Sequence, residues 1–139
     1  PSDLSSLLQA IQSKIGSGSS AKILIIGYPA IISNSSLGLG SPWSCLATLT
    51  TGDLATLQGL AGDINSVIQN ALISLDDERF HFVDPMVGNA IFGDHDMCSD
   101  DWYIYPYDLG RPYVFVAHPT SSGQETYAMI IKQYLEDMD

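Results

Sequence analysis

The chain has 139 residues, of which 45% are hydrophobic and 15% charged, a composition that predicts one globular domain rather than a disordered chain. Its formal net charge of −11 argues against nucleic acids and anionic membranes as partners, because an acidic surface repels both. No apolar run reaches the roughly 18 residues that a membrane-spanning helix requires.

The first predicted elements are a helix and a buried strand. Residues 1–4 lack the features of a signal peptide, so we expect that a leader was removed or that the chain was cut from a longer one. Asp3 is a candidate N-cap, and apolar residues recur at helical spacing up to Ile15. A Gly- and Ser-rich segment ends this helix, and residues 22–27 form a continuous apolar run. This order is typical of a parallel α/β sheet.

A long loop, residues 28–51, follows this strand and contains Trp43 and Cys45. Loops of this length inside a compact domain are usually functional or held by a crosslink. Cys45 and Cys98 are the two cysteines of the chain, and either one disulfide or two independent thiols fits their spacing. Asn34 begins an N-glycosylation tripeptide, which favours a secretory origin.

The rest of the chain predicts a helix, a strand, a second long loop and a last helix. The longest helix starts near Asp53 with an apolar stripe up to Leu75, and residues 80–85 form a second buried strand. After the loop, residues 121–124 (Ser-Ser-Gly-Gln) resemble a capping box. Two parallel strands leave their edges and a hydrophobic face uncovered, so we expect another segment to complete the sheet.

The second long loop, residues 86–112, is acidic and aromatic. Its Trp102 and Tyr103, together with Trp43, are candidates for lining a substrate pocket, and packing between the two loops is the alternative. The acidic residues around His95 offer oxygen ligands to a hard cation. Their spacing does not fit an EF-hand, so a solvated acidic loop is favoured, and we predict neither a metal nor a cofactor.

His118 is the sharpest candidate for chemistry, because it lies in a loop just before a predicted helix. A histidine in that position can reach the carboxyl ends of parallel strands, where α/β folds place their sites. It would serve there as the general base for a hydroxyl nucleophile. A surface histidine without a role is the alternative.

Several short motifs, taken in chain order, are similar to the second half of secreted SGNH (GDSL-type) hydrolases, a family of esterases and lipases. Each motif is weak alone, but their common order covers nearly the whole chain. The matching residues are Gly27-Tyr28-Pro29, Cys45, Phe82-Val83-Asp84, Phe92-Gly93, His95, Cys98, Trp102, His118-Pro119, Gly123 and Tyr127-Ala128.

The resemblance implies a three-layer α/β/α, flavodoxin-like fold. Residues 1–139 would form the C-terminal portion of a single domain and contribute the last two parallel strands, their helices and two long loops. The implied activity is hydrolysis of carboxylic esters, with His118 as the catalytic base and acid. The resemblance also implies that Cys45 and Cys98 are joined in a disulfide.

Two departures from the family pattern matter. Many members have an aspartate three residues before the histidine, where this chain has Phe115, so a backbone carbonyl of Phe115 or Val116 would orient the ring instead. The chain also lacks the Gly-Asp-Ser segment of the nucleophilic serine. We therefore expect the serine and the oxyanion hole on an N-terminal partner chain of the same precursor. A non-catalytic binding or inhibitory module derived from half of an esterase fold is the alternative function.

Overall fold

The computed structural model describes residues 3–32, 51–86, 92, 95–105 and 117–138. Its elements follow the predicted order, which confirms a mixed α/β organisation. Each of the two strands is two residues shorter than the six-residue run that predicted it. The elements in chain order are α1 (Asp3–Ile15), β1 (Ile23–Ile26), α2 (Thr51–Leu75), β2 (Phe80–Val83) and α3 (Ser121–Glu136).

The two strands form a parallel pair in which Ile23 lies opposite Phe80 and Ile26 opposite Val83. A further backbone hydrogen bond, from Gly27 N to Val83 O at 2.9 Å, continues the pairing beyond β1. Parallel neighbours need a crossover connection, and α2 lies between the two strands in the sequence. Within the described ranges the sheet has two strands, so the other edge of β1 has no strand beside it there.

Helices pack on both faces of this small sheet. On one face, Leu8 of α1 and Ala71 of α2 form a buried cluster with Phe80 of β2. On the other face, the ring of His81 meets Tyr134 of α3 with 6.2 Å between the ring centroids. The sheet is therefore covered on both sides, as parallel sheets are.

Some residues of the predicted apolar stripes do not reach the core. In α2, Val67 is 57% exposed, and Ile73, a further apolar residue of that helix, is 74% exposed; Leu7 of α1 is 57% exposed. A helix of 25 residues is about 37 Å long, whereas a strand of four residues extends only about 13 Å. The described sheet is therefore too small to cover all the apolar side chains that the periodicity assigns to these helices.

A second core cluster joins the segment 95–105 to the end of β1 and to α3. Phe92 is 1% exposed, and its ring centroid lies 5.0 Å from that of Tyr127 in α3. This cluster fixes the segment before α3 against the rest of the fold. Its buried members are Ile32, Phe92, Met97, Cys98 and Ile104.

A cluster of polar side chains connects α1 to the turn before β2 through hydrogen bonds. Arg79 Nε donates to Asp77 Oδ1 at 2.8 Å, and Gln12 Nε2 of α1 donates to Asp77 Oδ2 at 2.9 Å. Arg79 also donates to the carbonyl oxygen of Gly16 just after α1. The hydrogen bonds from Arg79 and then Gln12 hold the pKa of Asp77 well below its usual range, so the ionised carboxylate stabilises this junction.

We expect Asp77→Asn to lower the melting temperature at pH 7, because the amide removes the charge that Arg79 binds. The pKa of Asp77 is depressed in the folded state, so its stabilising contribution is present above the unfolded pKa near 3.8 and is lost as the pH falls below it. The difference in melting temperature between the wild type and Asp77→Asn should therefore decrease as the pH is lowered from 5 to roughly 2. Thermal unfolding at several pH values measures these melting temperatures, and Asp63→Asn, at an exposed site, is the control. A difference in melting temperature that does not change with pH would contradict the stabilising role of the Asp77 carboxylate.

Asn65 of α2 fixes the turn that follows β1. Its side chain is 4% exposed, accepts a hydrogen bond from Tyr28 N at 2.7 Å and donates one to Tyr28 O at 2.9 Å. A Cβ on Gly27 would lie 2.7 Å from Phe82 Cζ and 2.8 Å from Asn65 Oδ1. The glycine therefore permits the close approach through which Asn65 satisfies both backbone groups of Tyr28.

Replacing Asn65 by alanine should destabilise the fold by about 1–3 kcal/mol, because two partly buried backbone groups of Tyr28 lose their partner. Chemical denaturation measures this loss. Asn70→Ala is the matched control, since Asn70 lies on the same helix with an exposed side chain. Equal stability of the two variants would show that the contact with Tyr28 does not stabilise the turn.

Candidate functional site

A cavity of about 650 Å³ opens at the carboxyl end of β1. It is formed by the end of β1 with the turn after it, by the segment before α3, and by one face of α3. Sites in α/β folds are common at this end of the strands, and the volume falls in the range of small-molecule sites. The lining residues include Ile26, Tyr28, Ile31, His118, Gln124, Tyr127, Ala128 and Ile131.

The wall of this cavity is largely apolar, with a few polar groups. Ile26 of β1 and Ile131 of α3 are aliphatic lining residues, and the lining residues with polar side chains are Tyr28, His118, Gln124 and Tyr127. An apolar pocket with a small number of polar groups is typical of sites that bind small organic molecules. The arrangement suits a ligand with a hydrophobic part and one polar end.

His118 lies beside this cavity with an exposed side chain. Its carbonyl oxygen accepts from Tyr105 N at 2.9 Å, and the preceding Ala117 donates its N–H to Tyr105 O at 3.1 Å. Ala117 has a φ of 62°, a left-handed conformation that non-glycine residues seldom adopt. The backbone on this side of the cavity is therefore held by Tyr105, and in the described part of the chain no residue forms a hydrogen bond or ion pair with the imidazole.

The helix after His118 begins with a cap one residue earlier than the sequence pattern predicts. Thr120 is the N-cap: its backbone is extended, and its hydroxyl accepts from Gly123 N at 3.2 Å. The predicted capping box started at Ser121, which is instead the first residue of α3. Thr120 is the cap because its backbone is extended, as an N-cap requires, whereas Ser121 is already part of the helix.

Tyr127 is a polar cavity residue that the sequence indicated only through the Tyr127-Ala128 motif of the family resemblance. Burial, and then the charge of Tyr28, raise the pKa of Tyr127 to about 12, so its phenol stays protonated and can donate. Its hydroxyl lies 3.5 Å from the carbonyl oxygen of Gly27. The spacing of Gln124, Tyr127 and Ile131 on one helix face was the available signal, but the sequence could not show what that face meets.

The predicted substrate-binding residues lie elsewhere or outside the described residues. Trp43 belongs to the latter group. Trp102 packs near Tyr105, with 5.4 Å between ring centroids, and Tyr103 stacks on His95 at 3.9 Å. Neither Trp102 nor Tyr103 lines the cavity beside His118. Both contacts lie within the segment 95–105, so a role of these residues in binding substrate and the alternative of packing between the two loops both stay predictions.

The described residues of the acidic loop are engaged in local hydrogen bonds. His95 Nδ1 lies 2.8 Å from the carbonyl oxygen of Asp101, and the buried Asp96 accepts from Cys98 N at 2.7 Å. Among the described residues, no group of three or more potential ligands is placed to hold a metal ion. The carboxylate of Asp96 therefore shapes the turn that carries Cys98.

Two further predicted sites depend on residues outside the described ranges. Cys98 is 2% exposed and is not a free cysteine, but Cys45 lies outside the described residues, so the pairing of the two stays a prediction. The glycosylation candidate Asn34 also lies outside them. In the part of the chain that the structure describes, no helix is long and apolar enough to cross a membrane.

Comparisons with protein families, with curated protein sequences and with solved structures found no match to this chain. The resemblance to SGNH hydrolases therefore stays a prediction from short motifs, and the functional assignment depends on the cavity beside His118.

Proposed function

We propose that this chain is part of a serine-dependent carboxylic-ester hydrolase, an esterase or lipase, in which His118 acts as general base and acid. The observation that carries the proposal is the exposed imidazole of His118 beside a largely apolar cavity, with its backbone fixed and its ring unpartnered among the described residues. A ring held in this way can accept a proton from a group that another segment brings to it.

The reaction would proceed in two steps, acylation of the serine and hydrolysis of the acyl-enzyme. A serine hydroxyl attacks the ester carbonyl while His118 takes its proton, and His118 then gives that proton to the departing alcohol. Water hydrolyses the acyl-enzyme in the same manner and releases the acid. A backbone carbonyl of Phe115 or Val116, both outside the described residues, would orient the ring, so the chain would use a dyad. The step requires neither a metal nor a cofactor.

The cavity would receive the apolar part of the ester. Ile26, Ile31 and Ile131 provide aliphatic walls, and the polar atoms of Gln124 and Tyr127 lie on the same side of α3. Because the phenol of Tyr127 stays protonated, it can donate a hydrogen bond to an ester or acid oxygen. This combination favours a carboxylic ester with a hydrophobic acyl or alcohol group, such as a lipid.

The nucleophile and oxyanion hole would reside on the N-terminal chain of the same precursor. In the described ranges the outer edge of β1 has no neighbouring strand, and a strand of Ile-Leu-Ile-Ile is suited to the interior of a parallel sheet. A companion segment that adds strands there would complete a three-layer, flavodoxin-like SGNH domain. We further propose that the assembled protein is secreted, glycosylated at Asn34 and crosslinked between Cys45 and Cys98.

In the two-chain assembly, His118→Gln should lower the kcat for a p-nitrophenyl ester by roughly 10³-fold or more, because the serine loses its base. His81→Gln is the matched control: His81 packs against Tyr134 away from the cavity, so its kcat should stay close to that of wild type. Steady-state hydrolysis assays measure both. Unchanged turnover in His118→Gln would remove this residue from the mechanism.

The second candidate is a non-catalytic binding module, which is favoured by one observation: this chain forms an apolar cavity from its own residues. Native mass spectrometry of the purified material separates the two functions. We expect a complex with a second chain that contains Gly-Asp-Ser. A folded monomer of 15.0 kDa that binds a fluorescent fatty acid without hydrolysing esters would support the binding module and contradict the hydrolase.

A further inference from the structure

Gly123, in the first turn of α3, touches the segment 95–105 more closely than any other residue type would permit. A Cβ at this position would lie 2.2 Å from the carbonyl oxygen of Tyr103 and 3.1 Å from Pro119 Cβ. The φ of Gly123 is not in the left-handed region, so its backbone conformation does not require glycine. The close approach of the Tyr103 carbonyl is the physical reason for a glycine here.

The carbonyl group of Tyr103 also takes part in a short ladder of backbone hydrogen bonds on either side of His118. Thr120 N donates to Tyr103 O at 2.8 Å, Tyr105 N donates to His118 O at 2.9 Å, and Ala117 N donates to Tyr105 O at 3.1 Å. Residues 117–120 are therefore bonded on both sides of His118 to residues 103–105. The position of the histidine backbone depends on where this neighbouring segment lies.

Gly123 sets the distance between that segment and α3. Its N–H is bound by the N-cap hydroxyl of Thr120, and the next residue, Gln124, already lines the cavity together with Tyr127. A side chain on Gly123 would push the Tyr103 carbonyl away from the helix. Because residues 103–105 are hydrogen-bonded to residues 117–120, the backbone of His118 would move as well. The imidazole would then move relative to the cavity, whereas Gln124 and Tyr127 would stay on the helix.

We propose that Gly123 is a positioning residue for His118: it lets Tyr103 pack against α3 and so fixes the imidazole beside the cavity. The inference rests on the proposed hydrolase function. An alanine at this position requires a displacement of about 1 Å to restore ordinary contact distances, and a shift of that size at a catalytic group is enough for a loss of about 10²-fold in rate.

The test is Gly123→Ala in the two-chain assembly, with kcat and KM for a p-nitrophenyl ester and the ¹H–¹³C resonance of the His118 ring as readouts. We expect kcat to fall about 10²-fold, KM to change less than about threefold, and the His118 resonance to shift while that of His81 does not. Tyr105→Pro removes the N–H that donates to His118 O and should shift the same resonance. This variant is the second test if Gly123→Ala does not fold.

Two controls separate positioning from stability. Gly62→Ala places the same methyl group on an exposed helical glycine with open space around it and should leave all readouts unchanged. Leu8→Ala removes a buried side chain of the distant α1 cluster and should lower the melting temperature without changing kcat at permissive temperature.

An unshifted His118 resonance in both Gly123→Ala and Tyr105→Pro would overturn the positioning role, and so would an unchanged kcat in Gly123→Ala. A wild-type assembly that hydrolyses no ester would instead overturn the proposed function. In that case the resonance of His118 still decides whether Gly123 sets the position of the ring, because it is measured without substrate.

Discussion

The parallel pairing of β1 with β2 is the constraint on which the rest of the structure depends. Its last hydrogen bond, from Gly27 N to Val83 O, fixes the point where the chain leaves the sheet and enters the turn held by Asn65. From there the chain reaches Ile31 and Ile32, which pack against the cluster around Phe92. The cavity thus lies at the end of a short strand pair whose position is set by backbone geometry.

Local periodicity predicted the elements well because each helix and strand carries its own pattern. The apolar spacing in α1 and the continuous run in β1 are sufficient to identify them. Periodicity failed for Leu7, Leu60 and Val67, which are exposed, because the apolar stripe of a helix contains no information on the width of the sheet that it packs against. The N-cap of α3 also differed by one residue, since Thr120 and Ser121 both have the required hydroxyl.

The candidate site was predictable only in part. His118 was identified from its place before a helix, which is a local feature, whereas the contribution of Tyr28 and Tyr127 to one cavity depends on contacts across about 100 residues of sequence. The close approach of Tyr103 to Gly123 could not be predicted either, because it also joins residues that are distant in the sequence. A glycine in a helix suggests only low helix propensity until the structure shows which backbone lies against it.

The composition of β1 has a consequence for handling this chain by itself. From Ile23 to Ile26 the strand contains no charge, proline or bulge that would discourage pairing with a foreign strand. Where no companion covers that edge, the open edges of two copies of the chain can pair with each other. A segment that covers the open edge of β1 would therefore also protect the chain from self-association.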